Sequence, residues 1–254
     1  MATISFGPGT GIRGNGIVTS FTPIVIPNKS VLFNGSSKII GPTNQSVFDN
    51  TSANSWTIEC WFNASAYPAT GYSGIVEYHT TNIVAGWSIM LLPTGNKYIT
   101  FQQWNSGASL SINTPVNSIS LNTWYHLAVA YNTSTGLVSM YLDGVSQGTP
   151  TGIDLGTSST RTFNIGAYGG VGNFNGYISN VRFVYGKAVY TGTFTPPTAA
   201  LTTIQSAGTN IASLAGTETK MLACNSDTII DASASAWTLT TGGSPSVQTA
   251  VGPF

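Results

Sequence analysis

The sequence predicts an all-β fold, on two observations. No segment of the 254 residues carries a capped helical period, and short β-branched and aromatic runs recur between clusters of Gly, Asn, Ser, Thr and Pro. A chain of this length forms one large all-β domain or two small ones and buries a core without staples.

Taken in order, residues 1–30 are rich in Gly and Pro and poor in pattern, apart from the extended run "FTPIVIP". They read as an extended arm ordered by a partner or by packing along the domain, with the globular part from residue 31. "SVLFNG" is the first strand and ends at an Asn-Gly turn. In "SWTIECWFNA", Trp56, Ile58, Cys60 and Phe62 share a core face, while Thr57, Glu59, Trp61 and Asn63 share the other. A concave sheet face and a second layer of packing explain that mixed face equally well.

"SGIVEYH", "GWSIMLLP", "KYITFQQW" and "ASLSIN" continue a meander. The best hairpin is "TWYHLAVAYNTSTGLVSMYLDGVSQG": Tyr125, Leu127 and Val129 alternate with Trp124, His126 and Ala128, the return strand keeps phase, and Asp143-Gly144 suits a tight turn with positive φ. "TFNIGAY" follows. In "FNGYISNVRFVYG" the apolar alternation loses step, with Phe174 and Ile178 on even positions but Val181, Phe183 and Tyr185 on odd ones. A one-residue slip would turn every later side chain to the other face, so it marks either a site or a bend. "YTGTFTPPTAAL" reads as a strand closed by its paired prolines. Residues 201–220 weaken into a surface excursion, after which "KMLACN", "TIID", "AWTLTTGGSPSVQ" and "GPF" regain strand character. With few apolar residues, the tail from about 201 to 254 is expected to rejoin the sheets of the 31–254 domain.

Composition excludes several functions. Only 6% of residues are charged and the formal net charge is zero, so the surface is polar but uncharged. Eight scattered Lys and Arg cannot form the basic patch that nucleic acid requires. Low net charge gives little protection from self-association and suits a protein working inside an assembly. The amino terminus lacks a basic stretch followed by an apolar run, and no segment approaches about 18 continuous apolar residues, so neither signal-directed export nor membrane insertion is expected. Cys60 and Cys224 are expected to be buried free thiols.

The ordered series "LFNGSSKI", "WTIECWFN", "WYHLAVAYN", "MYLDGVSQG", "FNIGAYGG" and "FNGYISNVRFVYGKAVYTGTFTPP" resembles the laminin-G-like branch of the concanavalin-A-like lectin/glucanase family. The resemblance implies a two-sheet antiparallel jelly-roll β-sandwich. The continuation "ALTTIQ…MLACNSDTIIDASASAWTLTTGGSPSVQ…GPF" resembles the carboxy-terminal extension of laminin-G-like structural proteins of tailed phages, those of cyanobacterial hosts in particular. It implies a non-enzymatic virion structural protein, a tail fibre or appendage or a capsid decoration, on the virion surface and assembled in the host cytoplasm. Its partners would be other virion proteins and further copies of itself. The alternative is a receptor-binding, lectin-like module for host surface polysaccharide.

Glucanases of this architecture place carboxylates at alternate positions of one strand. Glu59 has no such neighbour and Glu77 lies on another segment, so no catalytic residue is expected unless the fold assembles those two. His126 reads as a strand histidine hydrogen-bonded across the sheet. Relatives bind Ca2+ at the rim; here Asp49 and Asp154, with Asn173, are isolated loop candidates, and no cofactor is assigned. Glycan recognition needs aromatic platforms with hydrogen-bonding neighbours. Tyr72, Trp104 and Tyr168, with Gln102, Gln103, Asn105, Asn173 and Asn175 close in sequence, are the candidates.

Overall fold

Alternating side chains build two facing sheets. The computed structural model describes residues 28–49, 53–80, 85–105, 108–152, 155, 160–169 and 172–254. Its strands are β1 (Ser30–Asn34), β2 (Lys38–Thr43), β3 (Trp56–Ala64), β4 (Ser73–Thr80), β5 (Ala85–Leu91), β6 (Ile99–Asn105), β7 (Ala108–Asn113), β8 (Trp124–Asn132) and β9 (Leu137–Leu142). They continue with β10 (Val145–Gly148), β11 (Arg161–Ile165), β12 (Asn175–Tyr185), β13 (Ile204–Gln205), β14 (Leu214–Ala215), β15 (Thr219–Ala223), β16 (Thr240–Gly242) and β17 (Ser246–Gln248). A 3-10 turn, Ser46–Phe48, is the helical structure among the described residues. The first sheet runs β10-β9-β8-β3-β12-β1-β17, with β15 also on β12, and the second runs β16-β2-β11-β4-β5-β6-β7. The pairings within both sheets are antiparallel. Of the arm, residues 1–27 lie outside the described residues, as does Asp154.

The core forms where the inner faces meet. Ile58, Val129 and Phe183 of the first sheet and Tyr78, Trp87, Phe101 and Phe163 of the second are fully buried. Trp87 stacks on Phe183 across the interface, ring centroids 6.0 Å apart, and Phe48 bridges Phe163 and Phe183, each at 4.9 Å. Burying such a ring contributes about 2–3 kcal/mol.

The other face of β3 is covered by a second layer. Val189, Tyr190, Phe194 and Leu214 pack on Ala128, Tyr141 and Val184, which buries Thr57 and Glu59 completely. Three later strands each join a sheet: β15 pairs with β12, β16 with β2 and β17 with β1.

Two local expectations need correction, and one strand was not anticipated. "YTGTF" forms no strand: Tyr190 makes one isolated bridge to Ile211, because its rings are drawn into the second layer instead. "TIID" is a bend in which Asp231 accepts the backbone N–H groups of Leu222, Ser233 and Trp237. β2 was not foreseen, since "KIIGPT" is short and carries Pro42, which is tolerated beside the short edge strand β16.

The phase slip in β12 is a bulge. Ser179 faces Trp61 and Arg182 faces Glu59, so Asn180 and Val181 together oppose Cys60. Asn180 takes the left-handed conformation, φ +53°, and its Oδ1 accepts the Leu201 N–H at 2.7 Å. Ile178, Val181 and Phe183 all reach the core. Asp143 and Gly144 both have positive φ, as a tight β9–β10 turn requires. Cys60 and Cys224 are free and buried. Among the described residues no helix is long and apolar enough to cross a membrane.

Candidate functional site

Register alone defines the outer face of the second sheet. Ile39, Ile165, Val76, Ile89, Phe101 and Ile112 form one cross-strand row, and all are core. The next residue along each strand therefore points outward. One outer row reads Thr240, Ile40, Asn164, Glu77, Ser88, Gln102 and Ser111; the other reads Thr162, His79, Gly86, Trp104 and Ser109. This face carries hydroxyls, amides and one indole where the inner face carries hydrocarbon.

A loop after β11 folds over it. Gly74 makes this possible: a Cβ there would lie 1.9 Å from the Ala167 carbonyl oxygen and 2.5 Å from Tyr168 N. The loop is held by Gly166 N–H to Ile75 O at 2.8 Å, Gly74 N–H to Gly172 O at 3.0 Å and Gly169 N–H to Glu77 Oε2 at 3.0 Å. Tyr168 is thereby set among three rings, with centroids 5.6 Å from Tyr72, 5.7 Å from His79 and 6.4 Å from Trp104. Gly86 keeps space open between the last two, since a Cβ there would stand 2.3 Å from His79 Cβ. Tyr72 is 36% exposed and Trp104 partly so, while Tyr168 forms the floor between them.

Beside the loop is a cleft of about 210 Å³ lined by Lys38, Ile40, Glu77, His79, Thr162, Asn164 and Gly169. Glu77 is fully engaged: Oε1 accepts Asn164 Nδ2 at 2.9 Å, and Oε2 lies 2.6 Å from His79 Nε2 besides accepting Gly169 N–H. Burial works against a charge on the His79 imidazole, but the Glu77 hydrogen bond and charge and the Thr80 carbonyl outweigh it and raise its pKa. Burial, with Tyr72 and Glu77, raises that of the Tyr168 phenol.

Of the sequence candidates, Tyr72, Trp104 and Tyr168 come together. Asn173 is at the loop's foot, bridged to Gly74, with its Oδ1 buried and unpartnered. Gln103 and Asn105 are a correction: alternation puts both on the opposite side of β6 from Trp104, and Gln103 is 1% exposed beside the core. Gln102, also a sequence candidate, shares the indole's face. The cleft residues were not foreseen as a group. The alternation of Glu77 and His79 with Val76 and Tyr78, and of Thr162 and Asn164 with Phe163 and Ile165, was readable, but the adjacency of β4 to β11 was not.

Asp49 as an ion ligand is also corrected, because its buried carboxylate accepts Arg161 Nη1 at 2.8 Å. Among the described residues no three His, Cys, Asp or Glu groups gather as a metal site. Glu59 and Glu77 are not assembled as a pair, since they occupy the outer faces of opposite sheets. Glu59 belongs to a closed cluster: Oε1 accepts Arg182 Nε and Nη2 at 2.9 and 2.6 Å, and Oε2 accepts Tyr190 O–H at 2.6 Å with His126 Nε2 at 3.2 Å. Burial raises the Glu59 pKa, but Arg182 and then His126 and Tyr190 overcome it and hold it at about 2. His126 is thus bonded across the sheet as expected.

A family model described as the concanavalin A-like lectin/glucanases superfamily matches residues 34–190. A crystal structure from Bacteroides ovatus, of a candidate carbohydrate-binding protein, superposes with a TM-score of 0.62 at 18% identity, covering 89% of this chain and 60% of that one. The chain thus spans about 60% of that structure's length. Domain 4 of the arabinanase AbnA from Geobacillus stearothermophilus, solved with arabinotriose, gives 0.48 at 22% identity over 63% of this chain and 71% of that one. Mouse laminin alpha1 domains LG4-5 give 0.47 at 12% identity over 63% and 41%. No curated protein matches.

Proposed function

The chain belongs to the concanavalin A-like lectin/glucanase superfamily, and from that premise we propose that it is a non-catalytic glycan-binding module. The observation that carries this reading is the Tyr72–Tyr168–Trp104 cluster on the outer face of the second sheet, flanked by rows of hydroxyl and amide side chains. Aromatic faces stack on the apolar faces of sugar rings, and the polar rows satisfy the hydroxyls. Catalysis of glycoside hydrolysis is a poor fit, because it needs two carboxylates flanking one bond and Glu77 already accepts from Asn164, Gly169 and His79. The test is a glycan array with the wild type and Trp104→Ala. Selective binding lost in the variant supports the reading, and no selective binding by the wild type removes it.

A second, compatible reading is that the module is displayed on a tailed-phage particle, as a fibre or appendage or as a capsid decoration, with other virion proteins and further copies of itself as partners. The resemblance of residues 201–254 supports it, and so does one geometric fact. Asn28, where residues 1–27 join the domain, is hydrogen-bonded to Gly252 and Phe254 next to β1 and β17 of the first sheet, whereas the aromatic cluster is on the second. An attachment arm and a ligand face on different sheets do not compete. Deleting residues 1–27 should leave a folded, glycan-binding domain that no longer enters particles, and normal incorporation would refute the arm's role.

A further inference from the structure

The cleft beside Tyr168 has a charge balance unlike the rest of this nearly uncharged surface. His79 Nδ1 lies 2.6 Å from the Thr80 carbonyl oxygen, which only accepts, so Nδ1 carries a proton. His79 Nε2 lies 2.6 Å from Glu77 Oε2, an oxygen that also accepts the Gly169 N–H, while Asn164 Nδ2 donates to Oε1. Those donors serve a carboxylate, so Nε2 is protonated too and the imidazole is a cation. Its charge cancels that of Glu77. Lys38 is then the unmatched charge: its stem runs along β16, with Cε 3.1 Å from where a Cβ on Gly242 would be, and among the described residues nothing accepts from its ammonium. Thr162 and Asn164 add neutral hydrogen-bonding groups to the cleft wall.

We propose that this cleft is a subsite for an acidic sugar, whose carboxylate or sulfate group is held by Lys38 over the His79–Glu77 pair while neighbouring neutral sugar rings lie on Trp104 and Tyr72. The proposal rests on the glycan-binding reading and specifies its substrate class. The titratable and charged groups around His79 are Glu77 on its own strand, Tyr168 on the covering loop and Lys38 on β2. Deprotonating His79 removes one positive charge from the cleft and breaks one of its two bonds, so acidic ligands are released as pH rises through the imidazole's raised pKa.

The experiment is calorimetric titration of the full chain with three probes: an oligogalacturonate hexamer, a sulfated oligosaccharide of similar length and neutral maltohexaose. The wild type is compared with Lys38→Gln, at a partly exposed position where an uncharged side chain keeps the strand pairing, and with Trp104→Ala. The acidic probes should bind more tightly than the neutral one, and Lys38→Gln should weaken only the acidic ones, by about tenfold for one charge-assisted contact. The sulfate stays ionised throughout, so its loss of affinity as pH rises through the raised pKa of His79 reports the imidazole. The carboxylate and sulfate arms show which acid is preferred, and binding of either supports the proposal. Equal binding of acidic and neutral probes, or no effect of Lys38→Gln, overturns it and leaves the glycan-binding reading standing. Failure of the wild type to bind any glycan, on the array or among these probes, overturns both.

Discussion

Arg182 donates both Nε and Nη2 to a single oxygen of Glu59, and neither side chain reaches solvent. The same guanidinium donates Nη1 to the Thr202 carbonyl at 2.9 Å, so the pair fastens the second layer to the first sheet. Glu59→Ala leaves that cation buried and unpaired, and should cost about 3–5 kcal/mol of unfolding free energy in urea titrations. Glu59→Gln retains part of the bonding and should cost less.

Acid should loosen the same clamp. The folded-state pKa of Glu59, about 2, is below the roughly 4.3 of an unfolded glutamate, so its stabilisation is complete above that value and declines as pH falls towards 2. Urea midpoints measured from pH 5 down to pH 2 should fall, and Glu59→Gln should flatten the decline. His79 contributes with the opposite sign: its stabilisation is present below about pH 6.5 and is lost as pH rises through its raised folded-state value.

Gly74→Ala should separate folding from binding. The new methyl group would strike the Ala167 carbonyl, which is backbone and cannot rotate away, so the loop bearing Tyr168 must lift. Overpacking of this kind costs roughly 1–3 kcal/mol. The variant should stay folded by near-ultraviolet circular dichroism yet lose glycan affinity at least as severely as Trp104→Ala.

At the bulge, Asn180→Gly keeps the left-handed backbone but leaves the Leu201 N–H without its acceptor, whereas Asn180→Ala removes both supports. Thermal melts should rank wild type, then Gly, then Ala, with the alanine variant lower by about 1–3 kcal/mol.

Cys60 and Cys224 are expected to ignore thiol reagents in the native state and to react with them in denaturant. Burial pushes both thiols well above their ordinary pKa, and only the thiolate attacks.

What could be read without coordinates followed from strict alternation. The inward set of β3, the meander through β8 and β9, the Asp143–Gly144 turn and the β12 slip all depend on neighbours one or two residues apart. Trp104 and Tyr168 were legible as candidates by residue type, but Gln103 and Asn105 were mistaken for their partners because nearness in sequence is not a shared face. The roles of Lys38, His79 and Asn164 depend on β2, β11 and β4 lying side by side, a long-range pairing that no local pattern encodes. Burial of Glu59 depends likewise on Tyr190 and Phe194 leaving strand geometry to cover the sheet.

The pairing of Ser30–Leu32 with Ser246–Gln248, reinforced by the Phe254 N–H on Asn28 Oδ1, has a kinetic cost. On a ribosome, strand β1 waits for nearly the whole remaining domain to be made before its second neighbour exists. Until then one edge of its sheet is an open template for other chains. Closing so long a loop also makes for slow folding. The yield of soluble protein should therefore depend on expression rate more than on the stability of the finished sandwich.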